Sequence, residues 1–296
     1  MKICVFTGGR AEYGILRPLL KEIKKSKDLE LKLIVSGMHM SREFGLTYQV
    51  IEKDGFRCDE KIEVILSSDT PVAVSKSVGL GLISFSEAFD RIKPDLLLVL
   101  GDRFETFSAA SAAMISRIPI AHIQGGEMTY GAIDDHFRHA VTKMSQIHFV
   151  TTDNYKKRVI QLGEHPKNVF NVGALNVDSM KKVKVLKKSE VEKKIGLSLQ
   201  KTTILVTFHP VTLEKENTEY YFKNILHALD HFNDCNIIFT KTNADTDGRI
   251  INSLIDEYTI NHKNVSSFVS MGQELYVSTL KYIDLVLGNS SSGIIE

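Results

Sequence analysis

The feature that most constrains this chain is a repeated alternation of two patterns. Short apolar runs are separated by longer stretches whose apolar residues recur at helical spacing. "KICVFT" (2–7) precedes "AEYGILRPLLKEIKKS" (11–26), in which Ile15, Leu16, Leu19, Leu20 and Ile23 share one face. "LELKLIVSG" (29–37), "DLLLVLG" (95–101), "IPIAHIQGG" (118–126) and "IHFVTT" (147–152) continue the series, with helical patterns at 103–117 and 133–145. Strands separated by helices pair in parallel, cross over right-handed and are covered on both faces. The first half therefore reads as a Rossmann-like α/β domain.

Around residue 173 the texture changes. "VGALNVDSM" leads into "KKVKVLKKSEVEKKIGLSLQK" (181–201), which carries eight lysines and two glutamates. Such a run suits a nucleic-acid tether or a solvated helix face beside a domain boundary, and the boundary is the simpler reading. The alternation then resumes: "TTILVTF" (202–208), a helical pattern at 217–231, "CNIIFT" (235–240), helices at 246–259 and 272–281, and "IDLVLG" (283–288). The expected fold class is α/β, two Rossmann-like domains over residues 1–172 and 173–296, with a cleft lined by strand carboxyl ends. The chain stops at "GNSSSGIIE" (288–296) where a helix should be starting. The second domain is therefore expected to be incomplete and the chain a fragment of a longer one.

Charge and cysteine content narrow the class. Lys plus Arg is 37 and Asp plus Glu is 36, a net charge of +1, which creates no general field for nucleic acid or a membrane surface. No uninterrupted apolar run reaches the roughly 20 residues of a membrane span. "MKICVFTGGR" turns at its glycines too early for a signal peptide. Cys4, Cys58 and Cys235 are odd in number and far apart; they form no disulfide framework and no metal pattern. A reducing, cytoplasmic setting is expected, as is a small-molecule partner.

In open parallel sheets, ligands sit beyond the carboxyl ends of the strands. After the first run come Gly8, Gly9 and Arg10. Two glycines at a helix start suit an anion, and they equally make a plain tight turn. After the central run come Asp102 and Arg103, and after the next come Gln124, Gly125, Gly126 and Glu127. "IDDHFRHA" then places Asp134 and Arg138, and Asp135 and His139, four residues apart on one helix face. These can be two intrahelical ion pairs. They can also bring Asp134 beside Asp102 and Glu127, where crowded carboxylates divide acid and base roles. In the second half, His209 follows a strand in "TFHPVT", Lys241, Asn243 and Asp245 follow the next, and "GNSSSG" offers hydroxyls and N–H groups suited to a diphosphate. The histidines pair with neither cysteines nor carboxylates at metal-ligand spacing. No metal and no cofactor are expected.

Taken in order, "GDRFE", "HIQGGE" with "IDDHFRHAVTKMS", "HPVT" and "GNSSSGIIE" resemble the hydrolysing UDP-N-acetylglucosamine 2-epimerases of sialic- and legionaminic-acid synthesis. The resemblance runs from Arg10 to Glu296. It implies a GT-B arrangement with UDP held mainly by the second domain. Carried onto matching positions, Arg10, His209, Ser290, Ser291 and Glu296 contact the nucleotide. Asp102, Arg103 and Asp134, with a carboxylate of the "GGE" loop, surround the sugar; Gln124 and Asn243 join the binding set. The implied reaction eliminates UDP to give a 2-acetamidoglucal and then adds water with inversion at carbon 2, turning UDP-GlcNAc into ManNAc and UDP. Asp102, Glu127 and Asp134 are the candidates for its proton transfers. Members of the sialic-acid branch carry glutamate where this chain has Gln124, so either Glu127 takes over that work or the sugar differs. The UDP-2,4-diacetamido-trideoxy sugar of legionaminic-acid synthesis is the alternative substrate. A non-hydrolysing epimerase, a glycosyltransferase and a nucleotide-binding module are the competing classes. A dimer or tetramer is expected by the same resemblance.

Overall fold

The computed structural model describes residues 1–214 and 217–295. It divides into two compact units, Met1–Ser179 and Met180–Glu296.

The first unit contains β1 (Lys2–Thr7), α1 (Arg10–Lys25), β2 (Glu30–Val35), α2 (Tyr48–Lys53), β3 (Glu60–Lys61), α3 (Pro71–Ile92), β4 (Leu96–Leu100), α4 (Phe104–Ile115), β5 (Ile120–Ile123), α5 (Asp134–Met144), β6 (Ile147–Val150), α6 (Asp153–Gln161) and β7 (Val169–Asn171). A further helix, α7 (Leu175–Lys181), runs across the division. All the strands pair in parallel, in the order β3-β2-β1-β4-β5-β6-β7.

Period-2 alternation sends each strand's residues to two cores. Cys4, Phe6, Leu97 and Val99 enter one core with Phe85 and Phe89 of α3 and the alanines of α4. Ile3, Val5, Leu98 and Leu100 enter the other with Leu16, Leu20 and Ile23 of α1. By length and composition alone, α3 could cross a bilayer. Its stripe from Ala73 through Phe85 to Ile92 is nevertheless buried in this unit, and Ser108 of α4 donates to the Val78 carbonyl at 3.1 Å.

The second unit holds α8 (Lys188–Ile195), β8 (Thr203–Thr207), α9 (Thr218–Leu229), β9 (Asn236–Thr240), α10 (Gly248–Asn261), β10 (Val265–Phe268), α11 (Gly272–Leu280), β11 (Leu285–Gly288) and α12 (Ser292–Ile295). Its sheet is also parallel, in the order β10-β9-β8-β11. The lysine-rich stretch yields the short helix α8, whose Val191 and Ile195 enter a core with Leu205 and Ile238. Its lysines stay outside, as a solvated face should.

Three strands lie outside the apolar runs: β3, β7 and β10. Each is an edge strand. An edge strand is covered on fewer sides and pairs along one side only, so "VFN" and "VSSF" serve there without an apolar run.

Two positions in these sheets stand out. In the first, the crossovers diverge between β1 and β4; in the second, between β8 and β11. Such switch points open a crevice beyond the strand carboxyl ends. Gly8–Arg10 and Asp102–Arg103 flank the first, and His209 and Asn289 flank the second.

The α3–sheet core supplies a stability test. Phe85 is fully buried, with its ring 5.2 Å from that of Phe6. Phe85→Ala is expected to cost about 3–5 kcal/mol, seen as a lower denaturant midpoint at unchanged m value.

Candidate functional site

Strand register assembles the first cluster. Leu100 of β4 pairs with Ile123 of β5, so the residues that follow both strands emerge side by side. Beneath them lies His122, fully buried. Its Nε2 is 2.8 Å from the Gly101 carbonyl and its Nδ1 is 3.1 Å from Thr142 Oγ1. A carbonyl only accepts, so Nε2 donates and Nδ1 is the accepting nitrogen of a neutral ring. Burial drives the His122 pKa down to about 3. The imidazole thus anchors the turn that carries Asp102 without adding charge.

Arg138 of α5 organises what stands above. Its side chain is nearly buried. Nη2 donates to Asp102 Oδ2 and, at 3.2 Å, to Thr129 Oγ1. Nη1 donates to Glu127 Oε2 at 3.1 Å and to the Gln124 carbonyl at 3.3 Å. Thr151 donates to the other Glu127 oxygen at 3.0 Å. A planar, permanently charged fork therefore holds two carboxylates from two loops. Both carboxylates keep about a fifth of their side-chain surface exposed, which leaves edges open to a ligand.

The remaining first-unit candidates are distributed around this bridge. Asp134 heads α5 and is half-buried. The second i,i+4 pair forms, with His139 Nε2 3.5 Å from Asp135 Oδ2. Arg103 Nε donates at 3.2 Å to Glu105, which is fully buried in the first turn of α4. Gln124 contributes through its backbone. Its φ of +65° is left-handed, a conformation costing a non-glycine residue about 1 kcal/mol. That turn presents its carbonyl to Arg138, while its N–H still bonds Phe149 at 2.9 Å.

At the end of β1, Arg10 opens α1 and is half-buried; desolvation lowers its pKa. The Gly8 and Gly9 N–H groups both point to Glu12 Oε2, at 2.7 and 3.2 Å. Burial, opposed chiefly by Arg103, pushes the Glu12 carboxyl up to about 7.

In the second unit, Asn289 joins the two motifs at the switch point. Its Oδ1 accepts from the His209 N–H and its Nδ2 donates to the His209 carbonyl, each at 2.8 Å. The side chain thereby continues the β8–β11 ladder, whose last pair is Gly288 and Thr207. A Cβ at Gly288 would lie 1.7 Å from the Thr207 carbonyl oxygen, and its φ is +143°, so only glycine fits. Ser290 and Ser292 hydroxyls stand 2.9 Å apart, and Tyr276 donates to Ser292 at 3.0 Å. Ser291 is exposed, and Asn243 lies half-buried in the loop after β9. Glu296 lies outside the described residues.

Arg138, His122, Glu12 and Asn289 escaped the sequence reading as site residues. Spacing marks Arg138 only as half of a helical ion pair, while His122 and Asn289 lie inside the quoted motifs and Glu12 beside the glycine turn without a role of their own. Among the described residues, no cluster of three or more His, Cys, Asp or Glu side chains could hold a metal.

A family model described as UDP-N-acetylglucosamine 2-epimerase matches residues 21–296. A Campylobacter jejuni GDP/UDP-N,N'-diacetylbacillosamine 2-epimerase (hydrolyzing) is 44% identical over 296 residues, all of this chain and 77% of that protein. A Legionella pneumophila UDP-N,N'-diacetylbacillosamine 2-epimerase (hydrolyzing) is 36% identical over 295 residues, 100% of this chain and 78% of that protein. The crystal structure of the Neisseria meningitidis UDP-GlcNAc 2-epimerase bound to UDP-GlcNAc superposes with a TM-score of 0.80 at 21% identity, covering 98% of this chain and 78% of that one. It shares the α/β fold described above.

Two outcomes are expected. Arg138→Met leaves Asp102 and Glu127 facing each other without a shared cation; chemical denaturation should show a loss of about 2–4 kcal/mol. Glu12→Gln should act in the opposite direction. The folded pKa, about 7, lies above the reference value of 4.5, so the Glu12 contribution is complete below pH 4.5 and is lost as pH rises through 7. Relative to wild type, the glutamine variant should gain stability over that window, by at most about 3 kcal/mol. Melting curves from pH 4.5 to 8 measure the difference.

Proposed function

The chain belongs to the UDP-N-acetylglucosamine 2-epimerase family, a family of enzymes, and on that premise we propose that it is a hydrolysing 2-epimerase acting on UDP-N,N'-diacetylbacillosamine. This substrate is a UDP-linked 2,4-diacetamido-trideoxyhexose. The products are UDP and the free sugar inverted at carbon 2, a mannose-type precursor suited to nine-carbon acids of the legionaminic type.

The observation that carries the chemistry is the Asp102–Arg138–Glu127 bridge at the carboxyl ends of β4 and β5. Hydrogen at carbon 2 is not acidic, so its removal must be coupled to loss of a good leaving group. A carboxylate takes that proton, the bond from carbon 1 to the UDP oxygen breaks, and a carbon 1–carbon 2 double bond forms. Water then supplies hydroxyl to carbon 1, and a carboxyl returns a proton to the opposite face of carbon 2. Asp102, Glu127 and Asp134 perform these proton transfers, with Arg138 holding the first two in register. Arg103 and Gln124 line the sugar. UDP leaves as an anion and needs cations and donors. Arg10, His209, Ser290, Ser291, Asn243 and Glu296 are assigned to it.

Support for the diacetamido substrate comes from the 44% identity over the whole chain to the Campylobacter protein, together with Gln124 in place of the glutamate of the sialic-acid branch. UDP-GlcNAc, bound in the Neisseria structure of the same fold, is the second reading.

Product analysis in heavy water separates the alternatives. Free UDP and a deuterium at carbon 2 are expected, with the diacetamido substrate turned over faster than UDP-GlcNAc. Product without solvent deuterium would sink the elimination, and an intact UDP-sugar epimer would sink the hydrolytic reading. Asp102→Asn should lower kcat by about 1,000-fold or more while leaving UDP affinity within about twofold.

A further inference from the structure

The turn after β1 has the appearance of an anion cradle, and it already contains an anion. Glu12, in the first turn of α1, reaches back so that one carboxylate oxygen accepts from both Gly8 and Gly9. At a protein surface this would be half of a capping box and no more. Here the residue is 9% exposed, and its second carboxylate oxygen is enclosed without a hydrogen-bond partner. Helix capping does not require such burial, which carries a desolvation cost.

Close packing holds the turn in this state. A Cβ on Gly9 would stand 2.7 Å from Met38 Cε. A Cβ on Gly37 would stand 2.7 Å from the Gly8 carbonyl and 2.6 Å from Glu105 Oε1. Thr7 Oγ1 is 3.1 Å from His39 Nε2, and His39 Nδ1 is 2.8 Å from Thr47 Oγ1. The two glycine N–H groups are therefore committed inside the protein.

We propose that Glu12 is the resident anion of this turn and a positioning residue for the reaction: it withholds the Gly8 and Gly9 donors from the substrate diphosphate and fixes the turn so that the guanidinium of Arg10 meets that diphosphate instead. The inference rests on Arg10 being a nucleotide ligand, as assigned above. The charged groups acting on Glu12 are Arg103, Glu105 and Asp102, all from the segment opening α4; the charge of Arg10, on its own helix, acts on His39. Ionised, Glu12 is a strong acceptor for both N–H groups. Protonated, it is a weaker one, and its O–H needs a partner of its own. The hold on Arg10 should loosen as pH falls through about 7.

The test compares wild type, Glu12→Gln and Arg10→Met by UDP calorimetry and by turnover between pH 5.5 and 8.5. Arg10→Met should weaken UDP at least about tenfold, the worth of a charge-assisted hydrogen bond. Glu12→Gln keeps the shape and should fold at least as well, yet at pH 8 its kcat/KM should fall about tenfold, mainly through KM. The wild-type decline below pH 7 should be shallower in it. A Glu12→Gln enzyme with wild-type KM and an unchanged pH profile overturns the proposal and leaves Glu12 a helix cap. If Arg10→Met binds UDP normally, the assignment of Arg10 fails first and takes this inference with it.

Discussion

The guanidinium of Arg138 is the interaction on which the rest of the first unit's site depends. Two carboxylates brought together with most of their surface covered repel, and water cannot screen them fully. One planar cation with several donors satisfies both and fixes the angle between them. Arg138 can do so because α5 lies against β5, whose His122 holds the end of β4 from below. Asp102, Glu127 and the Gln124 carbonyl, from two separate loops, thus share one side chain. The left-handed turn at Gln124 is affordable because it ends on that donor.

Each unit has the same kind of opening and furnishes it differently. The first surrounds its switch point with carboxylates and arginines. The second surrounds its own with a histidine, an asparagine and serine hydroxyls, all uncharged or neutral-capable groups. In the second unit Asn289 replaces a backbone hydrogen-bond pair with a side-chain amide, so the histidine motif and the serine motif, 80 residues apart, become one structural element. A parallel sheet makes this possible because every strand delivers its carboxyl end to the same edge.

The alternating fold was legible because central strands of a parallel sheet must be apolar along their whole length. "KICVFT" became β1 over residues 2–7, and the patterns at 103–117 and 133–145 became α4 and α5 within two residues at each end. The edge strands β3, β7 and β10 were invisible for the complementary reason: with less to bury, they carry no apolar signature. Asp102, Glu127 and Asp134 stood out as carboxylates at strand and helix ends. Arg138 did not, because the partner suggested by spacing lay on its own helix.

Local sequence determined the strands with apolar runs, the helices between them and which polar residues reach the carboxyl edges, since these follow from side-chain periodicity and glycine turns. Membership of the epimerase family was likewise legible in the ordered motifs. Only the tertiary structure decided partnership. That Arg138 serves Asp102 and Glu127, that Asn289 carries His209, and that Glu12 occupies the glycine turn all depend on distances between elements. A donor has few bonds to give, and packing selects which acceptor arrives first. The glycine turn makes the point most plainly: its residues permit an anion from outside, and the buried carboxylate three residues along already fills the place.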